Sequence, residues 1–151
     1  MQIVSRPMGK ERIHFQAPAH ELVKPEMDVF LNWINRDVKL DGVLKAAIAH
    51  FWFIIIHPFD DGNGRIARAI SDLLLARSEN SKQRFYSFSN QILLEKKGYY
   101  EILQKVQHSD GEITEWITWF LNCLFQALIT TEETLKKVLF KADFWDKHQE
   151  T

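Results

Sequence analysis

Phe51-Trp52-Phe53-Ile54-Ile55-Ile56-His57-Pro58-Phe59-Asp60-Asp61-Gly62-Asn63-Gly64-Arg65-Ile66-Ala67-Arg68 is the stretch where the chain changes character most sharply. An apolar run gives way to a polar, glycine-bearing loop, and a second apolar-periodic run follows. The order it predicts is buried helix, tight loop, helix N-terminus. Pro58 lacks an N–H and biases His57 away from helical angles, so the incoming helix ends there. Gly62 and Gly64 permit backbone angles closed to side-chained residues. N–H groups of such a loop, joined to those of a helix's first turn, make a concave anion site. Arg65 and Arg68 are three apart and share one helix face beside it. Two guanidiniums, a helix N-terminus and a glycine nest suit a run of phosphates. Asp61 adds the hard oxygen ligand that Mg²⁺ carried by a nucleotide requires. His57 is a group able to move a proton near neutral pH.

Upstream, Asp41 is a good N-cap for the incoming helix, in which Leu44, Ile48, Phe51 and Ile55 recur every three or four residues. Nearly all faces are apolar toward its end, as in a helix surrounded by others. His50 reads as a partly buried, hydrogen-bonded histidine, because no second metal ligand falls at a suitable spacing. Met27, Phe30, Leu31 and Ile34 have helical spacing, with Pro18 to Pro25 as a connector and Pro25 in the first turn. Gln2-Ile3-Val4-Ser5 and Arg12-Ile13-His14-Phe15 flank Arg6-Pro7-Met8-Gly9-Lys10, which predicts a β-hairpin over residues 2–15.

Downstream, Ile66, Ala69, Ile70, Leu73 and Leu74 predict a helix ending near Arg77, then a polar loop from Ser78 to Lys82. Ser89 is placed as the cap of a short helix through Leu94, and Gly98 as the opening of another that carries Tyr99, Tyr100, Leu103 and Val106. Asp110-Gly111 breaks the chain. A long stripe runs through Ile113, Trp116, Ile117, Phe120, Leu121, Leu124, Phe125 and Leu128, and a last helix holds Leu135, Val138 and Leu139. The expected fold is all-α: one domain over residues 1–151, a helical bundle over 26–140 preceded by the hairpin.

At 151 residues with 46% apolar content, five Trp and eleven Phe, the chain can bury a real core. A net charge of −1 gives no electrostatic footprint for nucleic acid or an anionic membrane. Cys123 stands alone, which excludes an intramolecular disulfide and a Cys-rich metal site. The N-terminus lacks a signal-peptide pattern, and Val43 to Ile56 is too short to span a bilayer. A cytoplasmic, soluble protein without membrane contact is the expectation.

The segment His57 to Arg68 resembles the Fic-family signature His-x-Phe-x-(Asp/Glu)-Gly-Asn-Gly-Arg-x-x-Arg and matches it at all eight specified positions. Taken singly, a His before Pro is usually a solvated turn residue, and paired arginines usually form salt bridges. Packing gives no reason for all eight in register. The resemblance implies the Fic fold and transfer of AMP from ATP to a Ser, Thr or Tyr hydroxyl of a target protein. In that reading His57 is the catalytic base and Asp61 the Mg²⁺ ligand. Gly62, Asn63 and Gly64 cradle phosphate through N–H groups plus the Asn amide, and Arg65 and Arg68 bind the outer phosphates. Phe59 anchors the loop in the core. Tyr99 and Tyr100 resemble the Tyr-Tyr pair that helps line the family's base pocket, with Gln107 further along and Ile13 over the base.

The hairpin sits where the family has a flap that pairs with its target's backbone, so a protein target docked on 2–15 is the expected partner, with a homodimer left open. Nucleic acid is not expected as a partner. Other donors, UTP or CDP-choline, would use the same motif, and a binding module with little catalysis is the alternative of another class. The intact His57 and Asp61 argue against that module. Many family members carry an inhibitory Ser/Thr-x-x-x-Glu-Gly/Asn helix whose Glu pairs with the second motif Arg. No such pattern occurs here. The expectation is a domain excised from a longer protein and less inhibited than its parent.

Overall fold

In the computed structural model the described residues are 2–5, 12–16, 19–80 and 84–148. Strands β1 (Gln2–Ser5) and β2 (Arg12–Gln16) are followed by helices α1 (His20–Asn35), α2 (Gly42–Ile56), α3 (Asn63–Glu79), α4 (Phe88–Leu94), α5 (Lys96–Gln107) and α6 (Thr114–His148). The chain is mostly helical. β1 and β2 pair antiparallel, Ile3 opposite Phe15 and Val4 opposite Ile13, so that His14 is an extra residue at a bulge. The turn expected at Arg6 to Lys10 lies outside the described residues. β2 lies against α5. No helix among the described residues is long and apolar enough to cross a membrane.

α2 is the central helix, and none of its residues is exposed. Asp41 caps it as expected, its carboxylate accepting from the N–H groups of Val43 (2.9 Å) and Leu44 (3.2 Å). α3 returns alongside α2 so closely that a Cβ on Gly42 would lie 2.2 Å from the Cβ of Ser78. Small residues permit this approach: Ala46, Ala47 and Ala49 are fully buried. The buried face of α3 is accordingly Asn63, Ala67, Ser71, Leu74 and Leu75. The stripe expected from hydrophobicity is turned partly outward, with Ala69 and Leu73 exposed. Close helix packing selects small side chains over large apolar ones, and hydrophobicity alone misreads that face.

α6 crosses the other side of α2. The Trp116 indole N–H donates to the carbonyl of Ala47 (2.8 Å), and its ring lies within ring-contact distance of His50, Phe51, Tyr99, Trp119 and Phe120. Phe30 and Ile34 of α1 complete the core, while Leu31 of the expected stripe is exposed. The C-terminus of α1 is closed by a neighbour: Lys45 Nζ donates to the carbonyls of Ile34 (2.9 Å) and Arg36 (2.8 Å).

Five expected boundaries move. α1 starts at His20, so Pro25 lies inside it rather than in its first turn. One carbonyl upstream thus loses its helical partner, a cost that packing of α1 on α2 outweighs. α3 runs through Ser78 and Glu79 before Asn80 adopts left-handed angles and ends it. Ser87, not Ser89, caps α4, accepting from the Asn90 N–H (3.2 Å); α5 then begins at Lys96 and has Gly98 inside. The last two expected helices are one: α6 continues for 35 residues, since neither Gly nor Pro interrupts it.

Candidate active site

His57 is the C-cap of α2, in the left-handed region at φ 50°, ψ 56°, with its N–H still bonded to the Phe53 carbonyl (3.1 Å). Pro58 disfavours right-handed helical angles for His57, and the left-handed ones it adopts turn the chain back toward α3. Such angles are uncommon for a residue with a Cβ, and strain of this kind persists where surroundings over-determine it. The imidazole is buried, which lowers its pKa; a hydrogen bond to the Ile54 backbone opposes that shift. A neutral ring at neutral pH is the form that accepts a proton.

The loop after His57 is closed by Asn63. Its Oδ1 accepts from the Phe59 N–H (3.0 Å) and its Nδ2 donates to the Phe59 carbonyl (2.6 Å), and the residue is only 3% exposed. The amide, expected to face phosphate, is first of all a bond within the loop. Its oxygen and one Nδ2 hydrogen are committed to one peptide unit, and the second Nδ2 hydrogen is the donor that remains. The side chain thereby fixes the distance between His57 and the start of α3. Phe59 departs from its expected burial: its ring is 48% exposed and meets the core at the ring of Phe53, 6.4 Å away. The loop is held by the backbone of Phe59 rather than by its ring.

α3 opens with Gly62 at φ 88°, an angle at which any side chain is strained. The first intrahelical bond runs from the Ile66 N–H to the Gly62 carbonyl (3.0 Å), so the N–H groups of Asn63, Gly64 and Arg65 have no acceptor within the helix. They form the anion-facing end of the site. Arg65 reaches back to Asp61 (2.8 Å), both largely exposed, and Asp61 also accepts from the Gly62 N–H (2.7 Å). Arg68 is half-buried, and a Cβ at Gly64 would lie 3.7 Å from its Nη1. Its guanidinium therefore folds back over the first turn of α3, beside those N–H groups. No carboxylate pairs with Arg68 among the described residues.

Among the described residues no group of three or more His, Cys, Asp or Glu could hold a metal by itself. Asp61 alone fits a cation that arrives with a nucleotide, since Mg²⁺ is held by one or two carboxylates plus phosphates and waters. The Asp61–Arg65 pair is solvent-exposed and worth only about 0.3–0.5 kcal/mol, so phosphate and cation would exchange it readily.

Tyr99 is buried, and its hydroxyl is engaged by His50 Nε2 (2.9 Å); Tyr100 is exposed, its ring 5.3 Å from that of Tyr99. The two expected base-pocket residues thus divide: one is core, the other is open. Gln107 ends α5 with its side-chain oxygen buried and without a hydrogen-bond partner among the described residues. Ile13 is in β2. The structure makes His50, expected to be partly buried and hydrogen-bonded, fully buried, and gives it a partner in Ser71, which the sequence pattern does not single out; the signal is a polar pair on the buried faces of α2 and α3.

A family model described as "Fic/DOC family" matches residues 2–75, which hold the strands, α1, α2, the loop and most of α3. The chain carries a Fic domain. A solved Fic family protein from Desulfovibrio desulfuricans G20 superposes with a TM-score of 0.68 at 25% identity, over 88% of this chain and 38% of that one. "Protein adenylyltransferase Fic" of Nematostella vectensis is 32% identical over 110 residues, 70% of this chain and 23% of that protein. "Protein adenylyltransferase fic-1" of Caenorhabditis briggsae is 38% identical over 66 residues, 42% of this chain and 13% of that protein. The Fic domain thus spans less than a quarter of either relative.

Proposed function

We propose that this Fic domain transfers AMP from ATP to a hydroxyl side chain of a protein target. The observation that carries the reading is a buried, neutral imidazole held by a closed loop at the N-terminus of a helix bearing two arginines. The relatives named as adenylyltransferases support the same chemistry. His57 accepts the proton of the target hydroxyl. Its oxygen bonds to the α-phosphorus, the bond from that phosphorus to the bridging oxygen breaks, and pyrophosphate leaves. The N–H groups at the start of α3 receive phosphate oxygens, and Arg65 and Arg68 take the leaving pyrophosphate with planar, charge-assisted contacts. Asp61 holds the nucleotide's Mg²⁺, which when bound spreads charge over the phosphates.

The base lies toward α5, where Tyr100 offers a ring face and Gln107 an unmet acceptor. β1 and β2, the latter set against that helix, are the surface on which an extended target segment pairs.

Label transfer from α-³²P-ATP with Mg²⁺, to the domain itself and to a host lysate, tests this. Label from the α but not the γ position, lost by a factor of roughly 10²–10⁴ in His57→Ala, is the expected outcome. No α-label with ATP, but transfer from UTP or CDP-choline, would overturn the donor. No transfer from any of them would leave a binding module.

A further inference from the structure

His50 lies two helical turns before His57, is fully buried, and bonds on both sides: Nδ1 to Ser71 Oγ at 2.8 Å and Nε2 to Tyr99 Oη at 2.9 Å. The proton order follows from the third bond of the chain. Ser71 Oγ donates its single hydrogen to the carbonyl of Ala67 (3.1 Å), so toward His50 it can only accept. Nδ1 therefore carries the imidazole hydrogen, Nε2 offers its lone pair, and Tyr99 donates to it. The relay runs Tyr99 to His50 to Ser71 to Ala67, and it ties α5, α2 and α3 at one point.

That point lies under Arg68. Ala67 precedes it, and Ser71, three residues on, occupies the same helix face. Burial lowers the His50 pKa to about 3, the Arg68 charge adding to it, and that charge is felt at Tyr99 as well. A junction of three helices could be filled by apolar side chains without desolvating three polar groups. What an oriented, satisfied network adds is a single arrangement of the groups it joins. Here a neutral one sits beside an arginine that no carboxylate among the described residues neutralises.

We propose that His50 is a positioning residue for nucleotide binding: held by Tyr99 of α5, it fixes through Ser71 the turn of α3 that carries Arg68, and so sets that guanidinium for phosphate. The proposal rests on the nucleotide-transfer reading and adds a residue outside the signature to it.

Calorimetric titration with ATP and Mg²⁺ tests it on the wild-type domain, His50→Phe, Tyr99→Phe, Arg68→Ala and the two doubles that combine the latter with each of the former. His50→Phe and Tyr99→Phe should each weaken ATP binding on the order of 10-fold in the wild-type background and less than about 2-fold in Arg68→Ala. Tyr99→Phe removes one oxygen and keeps the ring, so it carries the test if His50→Phe does not fold. Equal losses in both backgrounds, or unchanged affinity with only a lower unfolding midpoint, would make His50 a core residue and overturn the proposal. A wild-type domain that binds no ATP would overturn the nucleotide reading itself.

Discussion

Asn63 looks like a ligand in the sequence and behaves as a fastener in the structure. Its amide closes the loop through both polar groups of Phe59, in a site too buried for water to substitute freely. Asn63→Ala leaves that N–H and C=O without partners and should cost about 1–3 kcal/mol in urea unfolding. Transfer activity should fall with it, because His57 and α3 are no longer held at a set separation. His50 gives a second test. A histidine in the unfolded chain titrates near 6.5, whereas the folded His50 stays neutral down to about 3. The unfolded state thus binds the extra proton throughout that window. Stability from this group is complete above pH 6.5 and falls as pH drops, by about 1.4 kcal/mol per unit. Urea midpoints across the window should decline with acid in wild type and more shallowly in His50→Phe. Cys123 offers no comparable handle, since burial pushes its thiol up to about 12.

At the scale of elements, α2 and α3 make the site because their contact is close enough to leave no freedom in how α3 begins. A close approach is that of Gly42 to Ser78, at the end of the pair opposite the loop. Gly42→Ala places a Cβ into Ser78 and should destabilise by about 1–3 kcal/mol. Adding Ser78→Gly removes the obstructing carbon, so the double variant should lose less than the two singles combined, as thermal unfolding would show. α2 and its cap were legible from Asp41 and the apolar run, and the start of α3 from Gly62 and its followers. The buried face of α3 was not legible, because Ala67 and Ser71 earn their places by size, which hydrophobic periodicity does not register. The same limit applies at Ser87 and Ser89, two candidate caps of one residue type. Only Ser87 precedes the first helical turn, while the Ser89 hydroxyl turns to Asp72 (3.2 Å).

Across the whole molecule, stability is unevenly distributed. Trp116, Phe120, Cys123, Leu124 and Ala127 bury the first half of α6, whereas every residue from 132 to 148 is exposed. A helix without tertiary packing relies on local propensity and i,i+4 pairs such as Glu132–Lys136 and Asp143–Lys147. Ending the chain after Thr131 should therefore shift the unfolding free energy by no more than about 0.5 kcal/mol. Amide exchange should be fast over 132–148 and slow over 116–127. A large loss on truncation would mean the overhang is packed in solution.

The sequence by itself determined the helical class, the end of α2 at Pro58, the cap at Asp41 and the eight residues of the signature. Each of those is local: a missing N–H, a carboxylate beside free donors, a spacing along one chain. Only the tertiary structure decided that the Asn63 amide faces inward, that Tyr99 is core while Tyr100 is open, and that His50 joins three helices beneath Arg68. Those outcomes depend on which helix lies opposite and how near it comes. Residues 21 and 49 positions apart, Ser71 and Tyr99, fix the state of one histidine, and no local pattern records such a pairing.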